Sequence, residues 1–348
     1  MTTDDPRPDF APPAWPAPTA AQDPAWPPPQ PAPGWGPPTV PWQPPPPPSP
    51  LPTSPTTYPH FWRTSGIAVW KPILIVFVGA VAFLIVTTGV VVVAMLIEVA
   101  FSGVDPEALL LDLAAMRLTP LIVFANSLAL GVMLPVAIGL GLIAGQRGGY
   151  LSSVTGRFRW RFAWLAGAVA LGMLLLYTVI SASGEDLGLT VYPYTWWLLV
   201  GMMLVTPFQA AAEEYLFRGL LFRAIGSWMP TPLLALIVGG VLNAALFAVV
   251  HVSTDPWLNL FYFSLGLLLS YLTWRTGGLE AAVAIHVANN MVGMALLPFQ
   301  DLTEVLDRSA GSGSPVVALQ LLAVAVAAAV IVWLARRRNL ARTGPTIL

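Results

Sequence analysis

Between Trp70 and Ala335 the chain carries eight runs of roughly membrane length in which charged residues are almost absent. The pattern predicts bilayer-spanning helices over about residues 72–97, 120–144, 162–182, 195–222, 231–251, 256–275, 279–298 and 314–335. Lipid offers no hydrogen bonds, so every backbone N–H and C=O of such a run must be satisfied within the chain. The fold class is therefore an all-α, polytopic membrane helix bundle of about eight transmembrane helices. Charged residues make up 9% of the sequence, against about 25% in soluble domains, and they collect in the gaps between the runs.

Those gaps alternate in sign. Arg63 and Lys71 precede the first run, and Glu98, Asp105, Glu107 and Asp112 follow it. Arg147, Arg157, Arg159 and Arg161 follow the second, Glu185 and Asp186 the third, and Arg218 and Arg223 close the fourth. Arg275 ends the sixth; Asp301, Glu304 and Asp307 follow the seventh; Arg336, Arg337, Arg338 and Arg342 follow the eighth. The positive-inside rule puts the basic gaps in the cytoplasm, so the expectation is a multi-pass plasma membrane protein with both termini cytoplasmic. Residues 105–116 read as a short interfacial helix, and residues 145–160 as a basic loop at the headgroups with Trp160 and Trp164 as anchors.

Residues 1–58 hold most of the 36 prolines, interleaved with Trp15, Trp26, Trp35 and Trp42. Proline fixes φ and removes backbone donors, which predicts a disordered, cytoplasmic, polyproline-rich arm. It is either a spacer or a docking arm for a proline-recognising partner. Beyond it the chain divides into 70–194 (three spans and the amphipathic segment), 195–298 (the polar core) and 299–348 (the last span and a basic tail). There is no cysteine, which excludes disulfides, thiolate nucleophiles and Cys-ligated zinc. Partners are expected to be the lipid bilayer and a peptide or membrane-anchored protein, with no nucleic acid.

Pro207 to Arg223, PFQAAAEEYLFRGLLFR, breaks the apolar pattern with adjacent carboxylates. An ionised side chain at the centre of a membrane helix costs about 2.5–3.5 kcal/mol on insertion scales. Residues four apart share a helix face, so Glu214 lies under Arg218, whereas Glu213 shares its face with Gln209 and Phe217 and has no built-in cation. A carboxylate left unpaired in an apolar site suits a general base. The fifth run ends with Asn243, Phe247 and His251 at intervals of four, and the seventh holds His286 and Asn290 four apart, with Asn289 pointing elsewhere. Packed together, these residues fit two chemistries. In one, Glu213 and His251 activate water while His286 and Asn290 donate to an oxyanion. In the other, Glu213, His251 and His286 form a His₂Glu zinc site. There is no HExxH motif.

Glu213-Glu214-x-x-x-Arg218, Phe247-x-x-x-His251 and His286-x-x-x-Asn290, in that order in successive helices, resemble the three signature motifs of the CAAX-processing and bacteriocin-processing (CPBP, or Abi) intramembrane proteases, relatives of the type II CAAX prenyl endopeptidases. The resemblance covers about residues 195–298. It implies an intramembrane endopeptidase, often called a metalloprotease, in which Glu213 activates water, Glu214, Arg218 and Phe247 support it, His251 shares the activation, and His286 with Asn290 stabilises the oxyanion. The competing reading is a non-enzymatic immunity, scaffold or regulatory protein of the same fold. Counting from the turn near Met229 sets His251 and Glu213 roughly 9 Å apart in depth, a gap that a kink at Pro207 or at Gly239 and Gly240 would close. His286 lies early in its span, which places the site in the cytoplasmic half of the membrane.

Overall fold

Four helices begin on the same local signal, a side-chain oxygen followed by proline. Asp105-Pro106, Thr119-Pro120, Thr231-Pro232 and Asp255-Pro256 each place an N-cap acceptor before a residue whose missing N–H would have been orphaned anyway. Asp105 Oδ2, for instance, accepts from the Ala108 amide at 2.9 Å. These caps punctuate the apolar runs and convert them into separate rods.

The structure is a computed structural model in which residues 48–183 and 188–345 are described. The expected arm up to residue 47, and Glu185 and Asp186, lie outside the described residues. The helices are α1 (Trp70–Ser102), α2 (Pro106–Ala114), α3 (Pro120–Gly141), α4 (Gly149–Ser152), α5 (Trp160–Ala182), α6 (Thr195–Glu214), α7 (Phe222–Trp228), α8 (Pro232–Val249), α9 (Pro256–Thr276), α10 (Glu280–Leu296), α11 (Leu302–Val305) and α12 (Val317–Arg337). Among the described residues eight helices are long and apolar enough to cross a membrane. They coincide with the eight runs of the sequence, and α2 supplies the short helix expected at 105–116. Large apolar side chains such as Phe77, Leu84, Ile85, Leu96 and Phe101 of α1 are exposed, the surface that a lipid solvent requires.

Helix α3 packs on α1 and α6, α10 lies against α5 and α6, α8 against α9, and α12 against α5 and α9. Ala166, Ala170, Ala281, Ala284, Ala288 and Ala328 line the buried contacts between α5, α10 and α12. Small side chains let backbones approach where lipid supplies no hydrophobic drive for association.

The two ends of the bundle are tied separately. At one end Arg159 forks onto Glu280, with Nη2 to Oε2 at 2.6 Å and Nε to Oε1 at 2.8 Å, while its Nη1 donates to the Ala341 carbonyl at 3.2 Å. Arg223 Nη2 donates to the Tyr150 carbonyl at 2.6 Å, and its guanidinium lies 3.7 Å from the centre of the Tyr58 ring. At the other end Thr195 Oγ1 donates to the Pro298 carbonyl at 2.8 Å, and the Gly311 amide donates to Asp255 at 2.9 Å.

The arm differs from expectation at its last residues. Disorder was expected to residue 58, yet the described chain from residue 48 onward folds onto the bundle. Thr56–Thr57 (β1) pairs antiparallel with Thr343–Gly344 (β2), and Tyr58, Phe61 and Trp62 are buried. The Tyr58 hydroxyl donates to the Leu151 carbonyl. Aromatic burial offsets the ordering cost that proline-rich composition alone would leave uncompensated.

Candidate active site

The residues that carry the site start at the end of α6. Both carboxylates are buried, Glu213 at 8% exposure and Glu214 at 0%. Directly after them the helix widens into a π turn, Tyr215–Leu221, before resuming as α7. Turns of this kind inside α-helices recur at functional sites. Nothing in the local sequence announces this one.

Glu214 is the anchor. Its Oε1 accepts from Arg218 Nη1 at 2.9 Å, the i, i+4 pair expected from spacing, and from His286 Nδ1 at 2.7 Å. Arg218 is fully buried, reaches the Gly266 carbonyl with Nη2 at 3.3 Å, and lies 4.4 Å from the centre of the Phe247 ring. One carboxylate thus ties α6, α9 and α10 together. Because a carboxylate can only accept, His286 carries its proton on Nδ1 there and presents Nε2 to the other side of the ring.

That other side faces Glu213. His286 Nε2 lies 3.7 Å from Glu213 Oε2, too far for a direct hydrogen bond. It is close enough that a single oxygen could sit about 2.8 Å from both atoms. Glu213 Oε1 accepts from the Gln209 side chain, whose own Oε1 accepts from Asn290 Nδ2 at 3.1 Å. Asn290 Oδ1 accepts from Asn289 at 3.2 Å, and Asn289 from Gln320 at 2.9 Å. Asn289, which the helical wheel pointed away, therefore joins the network through its neighbour.

His251 stands differently from the sequence reading. Helix α8 stops at Val249, so His251 lies in the turn beyond it, next to Val252 with φ +50°. Its ring folds back, with Nδ1 2.6 Å from the Phe247 carbonyl. A carbonyl only accepts, so Nδ1 is protonated and Nε2 is left free. The ring stacks on Tyr262 at 3.9 Å between centroids, and Arg308 Nη1 donates to the Tyr262 hydroxyl at 3.0 Å. Asn243, on the same face by spacing, pairs instead with Ser270 at 2.9 Å and does not line the cavity.

A cavity of about 450 Å³ joins these groups. Gln209, Glu213, His286 and Asn290 form one wall, His251 and Tyr262 another, and Phe217, Phe247 and Leu265 supply apolar surface. Gln209 could have been found from its position four residues before Glu213. Tyr262, Arg308 and Gln320 carry no local signal, since they reach the site only through tertiary packing.

Comparison with known proteins gives the following. The family model described as type II CAAX prenyl endopeptidase Rce1-like matches residues 192–292. Residues 192–292 are thus similar to the Rce1-like family. This stretch contains α6 through most of α10 and hence both carboxylates, both cavity histidines and Asn290, while Arg308 and Gln320 fall outside it. The protein is also similar to the uncharacterized protein YyaK of Bacillus subtilis (strain 168), 38% identical over 97 residues that make up 27% of this chain. That match spans about a third of the relative, 32% of its length. No solved structure matches this chain.

The sequence also offered Glu213, His251 and His286 as a zinc ligand set. Among the described residues no group of three or more His, Cys, Asp or Glu is arranged to hold a metal ion. Glu213, His251 and His286 share a cavity without converging on one point.

Proposed function

We propose that the protein is an intramembrane endopeptidase that hydrolyses a peptide bond of a membrane-associated protein or peptide by carboxylate-activated water. The observation that carries this reading is the 3.7 Å gap between Glu213 Oε2 and His286 Nε2 on the wall of the cavity. A water in that gap is held by a base and a ring nitrogen at once. Glu213 takes one proton of the water as its oxygen attacks the carbonyl carbon, His286 Nε2 accepts from the water's other O–H and orients it, and the second N–H of Asn290 donates to the developing oxyanion. The C–N bond then breaks as Glu213 returns the proton to the leaving nitrogen, giving a carboxylic acid and an amine, which exchange the remaining proton to leave as carboxylate and ammonium. His251, held by Phe247 and Tyr262, lines the same cavity. Glu214 and Arg218 do no chemistry; they fix the His286 ring. No step requires a metal.

The reading is tested with Glu213→Gln, Glu214→Gln and wild type, purified in detergent and assayed on a panel of fluorogenic peptides, with zinc measured in the same samples. Glu213→Gln keeps shape and hydrogen bonding and removes the base, so it should lower turnover by about 10²–10⁴-fold. Stoichiometric zinc that is lost together with activity on chelation would replace this mechanism with the His₂Glu one. A folded wild type that cleaves nothing, with a cellular phenotype that Glu213→Gln still complements, would favour the non-enzymatic scaffold.

A further inference from the structure

The cavity is lined unevenly along the bundle. Besides the helices, its lining comes from three chain turns: Met116 and Leu118 between α2 and α3, Val250 to Val252 after α8, and Leu306 and Arg308 between α11 and α12. None of its lining belongs to residues 142–159, 229–231, 277–279 or 338–345, the connections at the opposite end. That opposite end is closed by the knot of Arg159, Glu280, Arg223 and Tyr58.

The two ends differ in charge. Lys71, Arg147, Arg157, Arg161, Arg275 and the 336–338 arginine run sit at the closed end, whereas Arg117 and Arg308 are the Lys or Arg residues at the open end among the described residues. Asp105, Glu107, Asp112, Asp301, Glu304 and Asp307 lie at the open end. Lysine and arginine bias sets orientation, so the closed end is cytoplasmic.

We infer that the cavity takes its substrate from the non-cytoplasmic face of the membrane, which makes the substrate an exported or externally anchored peptide segment and not a cytoplasmic tail. This rests on the peptidase reading for the word substrate, and on lining and charge for the direction. The sequence expectation concerned depth, a site in the cytoplasmic half, and not the face from which it is reached. Early position in α10 puts His286 near the basic end, but access is set by where the walls part. The entrance also suits a peptide. Arg308 and Gln320 offer polar contacts in the lining, and Phe217, Phe247 and Leu265 offer apolar ones.

The chain contains no cysteine, so single-cysteine variants report position without background. Ser314→Cys and Thr303→Cys mark the open end, Asn126→Cys marks the cavity wall, and Arg157→Cys and Arg338→Cys mark the closed end; all five positions are exposed. Intact cells carrying each variant are treated with a membrane-impermeant maleimide before and after permeabilisation. The expected result is labelling of Ser314→Cys, Thr303→Cys and Asn126→Cys in intact cells, and at least a tenfold rise for Arg157→Cys and Arg338→Cys only after permeabilisation. Labelling of the closed-end pair in intact cells, or an Asn126→Cys that reacts only from their side, overturns the inference. Labelling needs no hydrolysis and should be unchanged in a Glu213→Gln background, so it can fail while the peptidase reading stands, and the reverse.

Discussion

Replacing Arg218 by methionine removes the cation from a fully buried pair while keeping an unbranched stem of similar length. In the folded protein Glu214 Oε1 accepts from Arg218 at 2.9 Å and from His286 at 2.7 Å, and Glu214 Oε2 has no partner among the described residues. The variant leaves that carboxylate with the imidazole alone. It also takes away the guanidinium over the Phe247 ring and the donor to the Gly266 carbonyl. Breaking a buried pair by deleting one member costs about 3–5 kcal/mol, because the surviving charge stays desolvated. Neutralising both members removes that penalty, so Arg218→Met combined with Glu214→Gln should cost less than the sum of the singles by about 1–3 kcal/mol. Equilibrium unfolding of the four proteins in mixed micelles measures the cycle. An Arg218→Met loss under about 1 kcal/mol, or additive single effects, would show that Glu214 is held by something other than this pair, and the reasoning about the fixed His286 ring would fall with it.

Three further outcomes follow from the geometry. Glu280→Ala deprives Arg159 of both arms of its fork and should destabilise the closed end by about 3 kcal/mol, read by the same unfolding assay, with Arg159→Ala similar and the double variant far from additive. Tyr262→Ala should lower peptide turnover more than Tyr262→Phe, since the ring stack against His251 survives in phenylalanine and only the Arg308 hydrogen bond is lost; equal losses would transfer the role to the hydroxyl. Asp255 is held below the usual carboxylate range chiefly by the Leu258 amide, with the Gly311, Gly313 and Trp257 amides adding to it. Its contribution to stability is therefore complete above the ordinary aspartate range and lost as pH falls through the lowered value, and hydrogen exchange at Leu258 and Gly311 should accelerate only at that acidic end, or at all pH values in Asp255→Ala.

How much of this was legible in the sequence depends on how local the cause is. The eight spans were legible because length and apolarity are properties of a run, and the boundaries at Pro120, Pro232 and Pro256 follow from caps only one residue away. The Glu214–Arg218 pair and the Gln209–Glu213 hydrogen bond were legible for the same reason, since both span one helical turn. The second partner of Glu214 was not, because His286 is 72 residues away and no periodicity links the two. The end of α8 at Val249 escaped too: the apolar pattern runs on through Val250 and Val252, and only the chain reversal turns the His251 ring back onto Phe247. Proline content concealed the folded segment after residue 48, where Tyr58, Phe61 and Trp62 supply the burial. The Arg159–Glu280 fork escaped for a similar reason, since it joins residues 121 apart.

The central claim is that Glu213 activates water for peptide hydrolysis, and the most direct measurement is peptide cleavage by wild type and Glu213→Gln proteins shown by the same unfolding curve to be equally folded. Cleavage by wild type, with a loss of about 10²–10⁴-fold in the variant, is the expected result. Cleavage that persists within a few-fold in Glu213→Gln would contradict the account and return Glu213 to the structural network it shares with Gln209 and Asn290.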